Sequence, residues 1–125
     1  MLTLDKLSRT PIYEQIINNV RREISAGTMA EQSQLPSVRE LSAFLGVNPN
    51  TVQRAYNELC MRGYIVTVAA RGAFVAEGAR EKILSEGRDK LKQLSELAAE
   101  LRHAGVTQDD IIAAVTENLS GGSEQ

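Results

Sequence analysis

The chain has 125 residues, of which 42% are apolar and 24% are charged, and this balance predicts a small globular protein. Its single cysteine, Cys60, excludes an intramolecular disulfide, and no stretch approaches the roughly 18 apolar residues of a membrane span. Residues 1–76 carry eight basic and six acidic residues, whereas residues 77–125 carry six basic and ten acidic residues. A surface that binds nucleic acid is therefore expected within residues 1–76. Because the N-terminus lacks the apolar run of a signal peptide, a cytoplasmic location is expected.

The first helix is expected to begin at Thr10 and Pro11, because Thr is a favourable cap and Pro suits the first helical position. Gly27 is expected to end it. Its apolar residues recur every four positions and form one stripe: Ile12, Ile16, Val20 and Ile24.

Two further helices follow, with a short turn at Gly46 between them. Ser37 and Glu40 have the spacing of a capping box at the start of the second helix. Asn48 can cap the third helix and Pro49 can occupy its first turn. The predicted buried residues are Leu41, Phe44 and Leu45 in the second helix and Val52, Ala55, Tyr56 and Leu59 in the third. Two helices joined in this way match a helix-turn-helix.

After Gly63 the pattern becomes that of a β-hairpin, with strands over 64–68 and 73–75 around a turn. This position, directly after the third helix, is that of a wing. From about Ala79 the chain is predicted to be helical again, with an interruption at Gly87. We expect this helix to end at Gly105 and a last short helix to be capped by Thr107.

The two C-terminal helices share an apolar seam, in which leucines of the longer helix recur every seven residues. The seam consists of Leu84, Leu91, Leu94, Leu97, Ala98, Leu101, Ile111, Ile112 and Val115. This seam can pack on the winged-helix part of the same chain or on a second copy of the chain. We favour the second copy, which gives a two-fold dimer interface. The expected organisation is a DNA-binding domain over 1–77, a helical dimerisation region over 78–120 and a disordered tail over 121–125.

Four motifs within residues 10–76 resemble the GntR family of bacterial transcriptional regulators. They are LPSVREL at 35–41, LGVNPNTVQRAYNEL at 45–59, GYI at 63–65 and RGAFV at 71–75. The resemblance implies a mainly helical winged helix-turn-helix that binds double-stranded DNA. Because only two helices follow the wing, the chain looks like the YtrA-type subfamily, in which such helices serve dimerisation.

A helix-turn-helix places its second helix in the major groove, where Asn and Gln can pair with adenine and Arg with guanine. By resemblance, Arg39 matches a DNA-contacting arginine and Arg71 lies at a wing tip in or near the minor groove. The expected DNA-binding residues are Ser37, Arg39, Asn48, Asn50, Thr51, Gln53, Arg54, Asn57, Arg71 and Gly72.

Each of these residues also has a purely structural interpretation. The polar face of the third helix can simply be solvated, and Ser37 can serve only as a helix cap. Arg54 can bind a phosphate or pair with Glu58 four residues on. Two positions depart from the family pattern: Ala70 replaces a common wing glycine, and Pro49 and Gln53 stand where some relatives have arginine. The base preference of those relatives is therefore not transferred.

These features predict a sequence-specific transcriptional regulator, in particular a homodimeric repressor of a pseudo-palindromic operator. No cofactor is expected, and a small-molecule effector is left unidentified. An enzyme is not expected, because one His and one Cys supply no zinc site and no phosphate-binding glycine loop is present. Two alternatives stay open. The winged helix can dock on protein, and Cys60, otherwise a small buried residue, can act as a redox sensor.

Overall fold

The computed structural model describes residues 2–121, which form five helices and one two-stranded antiparallel sheet. In chain order these are α1 (Ile12–Ala26), α2 (Val38–Leu45), α3 (Pro49–Met61), β1 (Ile65–Val68), β2 (Gly72–Val75), α4 (Ala79–His103) and α5 (Gln108–Gly121). The predicted mainly helical fold with a hairpin wing is confirmed. None of the described helices is long and apolar enough to cross a membrane.

The chain separates into two compact units, which divide between Ser85 and Glu86. The first unit contains α1, α2, α3, the hairpin and the start of α4, and the second contains the rest of α4 and α5. The predicted domain division after residue 77 falls just before α4. Of the predicted tail, Gly121 is the last residue of α5, and residues 122–125 lie outside the described residues.

The core of the first unit is built from the apolar stripes of its helices. Its largest fully buried side chains come from α1, α3 and the hairpin: Ile16, Ile17, Val20, Ile24, Val52, Leu59, Ile65 and Val75. The predicted inward face of α3 is confirmed, because all four of its residues are buried. One face of α3 is thereby fixed in the core, which determines the residues that its other face presents to solvent.

The starts of α2 and α3 use the predicted caps. The Ser37 side chain accepts a hydrogen bond from the Glu40 amide at 3.0 Å, and the Ser37 amide donates to the Glu40 carboxylate at 2.9 Å. The Asn48 side chain accepts from the Asn50 amide at 2.7 Å. In contrast, α1 begins at Ile12 with Pro11 in the capping position and no side-chain cap. The predicted start at Thr10 and Pro11 is therefore one residue early.

Phe44 was expected in the buried face of α2, and this prediction is wrong. Its side chain is 67% exposed, whereas Leu41 and Ser42 are buried and Leu45 is half-buried. At 3.6 residues per turn, Phe44 lies roughly 100° from the centre of the face that these three residues share. A helix of eight residues has room for one inward stripe, and the small Ser42 takes part in it.

The hairpin pairs Ile65 with Val75 through to Val68 with Gly72. The segment before α2 lies along the other edge of β2. The Gln32 amide donates to the Val75 carbonyl at 2.8 Å and the Leu35 amide donates to the Ala73 carbonyl at 2.8 Å. These hydrogen bonds attach the wing to the chain that leads into the helix-turn-helix.

The second unit is a pair of helices with a short connection. α4 continues through Gly87, where an interruption was predicted, and ends at His103. As predicted, Thr107 caps α5, because its hydroxyl accepts from the Asp110 amide at 3.1 Å. Most of the apolar side chains in this unit remain exposed.

Candidate nucleic-acid interface

The outward face of α3 is polar from Asn50 to Asn57, and the exposed Met61 follows at its C-terminal end. Asn50, Gln53, Arg54 and Asn57 are exposed, and Thr51 is half-buried at the N-terminal end. Because Val52, Ala55, Tyr56 and Leu59 hold the opposite face in the core, these five side chains keep a fixed rotational position about the helix axis. Amide, hydroxyl and guanidinium groups in this arrangement match the donors and acceptors at base edges and phosphates.

Two of these side chains are paired along the helix. The Gln53 amide nitrogen donates to the Asn57 side-chain oxygen at 2.8 Å, which joins positions i and i+4. The pairing leaves the Gln53 side-chain oxygen as an acceptor and the Asn57 amide group as a donor. Both amides are thus held in a defined orientation while each keeps groups that can bind a partner.

Arg54 does not pair with Glu58, which was one of the two predicted interpretations. Glu58 forms its ion pair with Arg62 at 3.0 Å, one turn further along α3. The Arg54 guanidinium instead lies over the ring of Tyr13 from α1, 3.7 Å from the ring centroid. The Glu58 carboxylate is therefore paired with Arg62 and not with Arg54.

The start of α2 presents two of the predicted residues. Ser37 is exposed, although its hydroxyl and its amide are both engaged in the capping box. Arg39, in the first helical turn, is exposed, and its guanidinium has no hydrogen bond or ion pair within residues 2–121. Arg39 can therefore bind an external anion without first breaking an internal contact.

Arg71 and Gly72 lie at the tip of the wing and are exposed. The Gln34 side-chain amide donates to the Arg71 carbonyl at 2.7 Å, which ties the tip to the segment before α2. Gly72 has a φ of +113°, and a Cβ there would approach the Gln34 amide nitrogen to 2.8 Å, so no other residue fits without a shift. Ala70 keeps a left-handed φ of +65° in place of the family's glycine.

A buried tyrosine links the two helices of the motif. The Tyr56 hydroxyl on α3 donates to the Pro36 carbonyl, just before α2, at 2.7 Å. Burial raises the pKa of Tyr56 above its ordinary value, and the charge of Glu40 adds to the shift. The hydroxyl therefore stays protonated near neutral pH and keeps the start of α2 against α3.

Cys60 is half-buried at the end of α3 and packs against the core, with its sulfur 3.4 Å from the Thr67 hydroxyl oxygen. This environment is that of a small, largely apolar side chain. Among residues 2–121, no three His, Cys, Asp or Glu side chains come together to hold a metal ion.

The nine predicted dimerisation residues lie in three places. Six of them line one apolar groove between α4 and α5, together with Ser95 and Thr116: Leu91, Leu94, Ala98, Ile111, Ile112 and Val115. Leu97 is exposed and Leu101 half-buried on α4 outside that groove, and Leu84 lies in the first unit. The groove is thus a second candidate surface, with no charged residue among those that line it.

Sequence reasoning missed two residues that contact the candidate surface. Gln34 holds the wing tip and Tyr13 supports Arg54. Each lies far along the chain from its partner, 37 residues in the case of Gln34 and Arg71, so no local spacing indicates the contact.

The chain is similar to a family sequence pattern, to known protein sequences and to solved structures. The sequence pattern described as "Bacterial regulatory proteins, gntR family" matches residues 12–75. The HTH-type transcriptional repressor YtrA of Bacillus subtilis is 36% identical over an alignment of 128 positions. The alignment covers 99% of this chain and 98% of that protein.

Two solved structures are also similar. A GntR family transcriptional regulator from Listeria monocytogenes is 38% identical, with a TM-score of 0.66 over 91% of this chain and 98% of that one. The DNA-binding domain of AraR, in a complex with the operator ORX1, is 28% identical, with a TM-score of 0.54 over 60% of this chain and 93% of that one. The part of the chain matched by the family pattern includes α1, α2, α3 and the wing.

Proposed function

The chain belongs to the GntR family of bacterial regulatory proteins and is a DNA-binding transcriptional regulator, and from that premise we propose that it represses transcription as a homodimer bound to a pseudo-palindromic operator. The observation that carries this proposal is the outward face of α3 from Asn50 to Asn57, which is polar, exposed and fixed by a buried opposite face. As the second helix of the helix-turn-helix, α3 enters the major groove with its N-terminal residues at base edges. Because the proposed target is DNA in a bacterial cell, we also propose a cytoplasmic location.

The three parts of the candidate interface have distinct roles in this proposal. Asn50, Thr51, Gln53 and Asn57 read base edges, because amides and hydroxyls can discriminate between base pairs in the major groove. Ser37, Arg39 and Asn48 contact phosphates at the start of α2 and at the turn. Arg71 and Gly72 at the wing tip approach the minor groove.

Dimerisation is proposed through the groove and exposed leucines of the second unit. Two copies related by a two-fold axis present two recognition helices to an inverted repeat, with half-sites about one helical turn apart or a multiple of that. The DNA-binding unit of the second copy raises the affinity for DNA through its effective concentration. This matters because residues 1–76 carry a net charge of only +2. Repression then follows from occupancy of promoter DNA. The similarity over nearly full length to a protein named as a repressor supports this direction of control.

The first experiment is selection of duplexes from a random pool by the purified full-length chain at near-physiological salt, followed by sequencing. The expected result is an inverted repeat. In a transcription assay with that repeat placed over a promoter, added protein should lower the amount of transcript, and a scrambled repeat is the control. If folded, dimeric protein enriched no motif, the proposal of sequence-specific binding would be contradicted and docking on protein would become the better explanation.

Arg39→Ala tests where the DNA-facing surface lies. We expect weaker binding to the selected operator and a salt dependence whose slope is lower by about one, because one phosphate contact is lost. Arg21→Ala, which removes the same charge from α1, is the matched control. Equal affinities for wild type and Arg39→Ala at every salt concentration would show that Arg39 is not in the interface. Light scattering should show the same dimer for all three proteins.

A further inference from the structure

The contact between Arg54 and Tyr13 joins the outward face of α3 to the first turns of α1. Arg54 is exposed, whereas Tyr13 is half-buried and packs against the core of the first unit. The guanidinium carbon lies 3.7 Å from the ring centroid, which is within cation–π distance. A flexible cationic side chain on the candidate interface is therefore supported by a ring that is itself anchored.

Stacking occupies the face of the guanidinium and leaves its edge open. The N–H donors of an arginine lie in the plane of the group, and a carboxylate or phosphate binds them at that edge. Within residues 2–121 the Arg54 guanidinium has no hydrogen bond or ion pair, because Glu58 is paired with Arg62. The Tyr13 hydroxyl donates to Glu14 at 3.4 Å, so that carboxylate also has a partner. The donors of Arg54 thus lack an internal acceptor.

We propose that Tyr13 is a positioning residue for DNA binding, whose ring holds the Arg54 guanidinium so that its edge donors meet a phosphate of the DNA backbone. The inference rests on the proposed function and assigns to Arg54 a phosphate contact rather than a base contact. A stacked arginine has lost part of its rotamer freedom before DNA arrives, so less is lost on binding. The DNA-facing surface thereby extends from α3 onto the N-terminal part of α1.

The test is a double-mutant cycle measured by fluorescence anisotropy on two duplexes, the selected operator and a scrambled sequence, over a series of salt concentrations. The variants of the full-length chain are Arg54→Ala, Tyr13→Leu, Tyr13→Phe and the combination of Tyr13→Leu with Arg54→Ala. A phosphate contact predicts that Arg54→Ala weakens both duplexes about ten-fold and lowers the salt slope by about one. A base contact would weaken the operator selectively and would overturn this assignment.

The tyrosine variants separate positioning from general stability. Tyr13→Leu removes the ring and should weaken binding about two- to five-fold, which corresponds to an exposed cation–π contact. Tyr13→Phe keeps the ring and should bind like wild type. In the Arg54→Ala background, Tyr13→Leu should have no further effect. Additive effects of the two substitutions, or a loss with Tyr13→Phe as large as with Tyr13→Leu, would overturn the inference.

A measurement on the wild-type protein covers the case in which Tyr13→Leu does not fold. The ring current of Tyr13 should shift the side-chain proton resonances of Arg54 upfield, and this shift should persist when duplex is added. Loss of the upfield shift on binding would mean that Arg54 leaves the ring, which contradicts the proposal.

The scrambled duplex at low salt separates failure of this inference from failure of the proposed function. If the wild type shows no preference for any sequence, sequence-specific regulation fails while coupling between Tyr13 and Arg54 is still measurable on any duplex. If the wild type selects an operator but the two residues act independently, only the present inference fails. If the folded protein binds no duplex, both fail.

Discussion

In the first unit the apolar stripe of each helix is covered by the unit's own chain, whereas in the second unit apolar side chains of α4 and α5 face solvent. Ile16, Val20 and Leu59 are 1% exposed or less, but Leu91 is 65% exposed. Both units are helical and both have the periodicity of amphipathic helices. The first unit has at least three helices and a hairpin to enclose its stripes, and the second has only α5 opposite its part of α4.

This difference indicates that the two units obtain stability in different ways. A closed core stabilises the first unit by burying apolar area within one chain. A helix pair with an exposed apolar groove gains such burial only when something else covers the groove, and we propose that a second copy does so. The first unit should therefore be stable at any protein concentration, while the second should depend on association.

The largest effect is expected from a substitution in the closed core. Leu59→Ala should lower the free energy of unfolding by about 2–5 kcal/mol, because it leaves a cavity where the wild-type side chain is fully buried. Denaturation monitored by circular dichroism, at several protein concentrations, measures this loss. The matched control is Met61→Ala, two residues on and 81% exposed, which should change stability by less than about 0.5 kcal/mol. Similar losses for both variants would contradict the distinction between closed and open surfaces.

The next effect is expected in the second unit. Leu94→Glu places a charge in the groove and should weaken the dimer about 100-fold, because the carboxylate would lose its hydration without gaining a partner. Light scattering should show a shift from dimer to monomer. The near-ultraviolet circular dichroism should stay unchanged, because every Tyr and Phe lies in the first unit and the chain has no Trp. Gln93→Glu adds the same charge at the neighbouring exposed position and should stay dimeric. A Leu94→Glu protein that remained dimeric would place the interface elsewhere.

The smallest effect is expected at the turn of the wing, where residues 69–72 are exposed. Ala70 has a left-handed φ of +65°, which disfavours any side chain, so Ala70→Gly should raise the free energy of unfolding by about 0.5–1 kcal/mol. Ala69→Gly, at a neighbouring exposed residue, is the control and should lower it slightly because the unfolded chain gains freedom. A loss of stability in both variants would mean that the turn does not strain Ala70.

The starts of the helices show which contacts can be predicted from local sequence patterns. The capping box of Ser37 and Glu40, the cap at Asn48 and the cap at Thr107 were all predicted, because each joins residues at most three positions apart. Such signals do not depend on the rest of the fold. Phe44 was misplaced because helical periodicity identifies a stripe but not its limits, and in α2 the small Ser42 is buried instead.

The candidate site was predicted in outline and not in its contacts. The polar residues on the outward face of α3 followed from the inward apolar ones, since the two faces of a helix are complementary. The contact of Arg54 with Tyr13 was not predicted. Glu58 lies four residues after Arg54 and four residues before Arg62, and it forms its ion pair with Arg62. Gln34 was likewise missed, since its contact at the wing tip joins distant parts of the chain.

The sequence by itself determined the order of helices and strands, the caps that start α2, α3 and α5, the wing after α3 and the family to which the chain belongs. The helices, strands and caps follow from periodicity and from interactions within one helical turn, which are set wherever the residues occur, whereas the family followed from the resemblance of four sequence motifs. Only the tertiary structure decided that Arg54 stacks on Tyr13, that Gln34 holds the wing tip, and that Phe44 faces solvent. Those outcomes depend on which segments the core brings side by side, and packing between distant segments, rather than spacing along the chain, makes that choice.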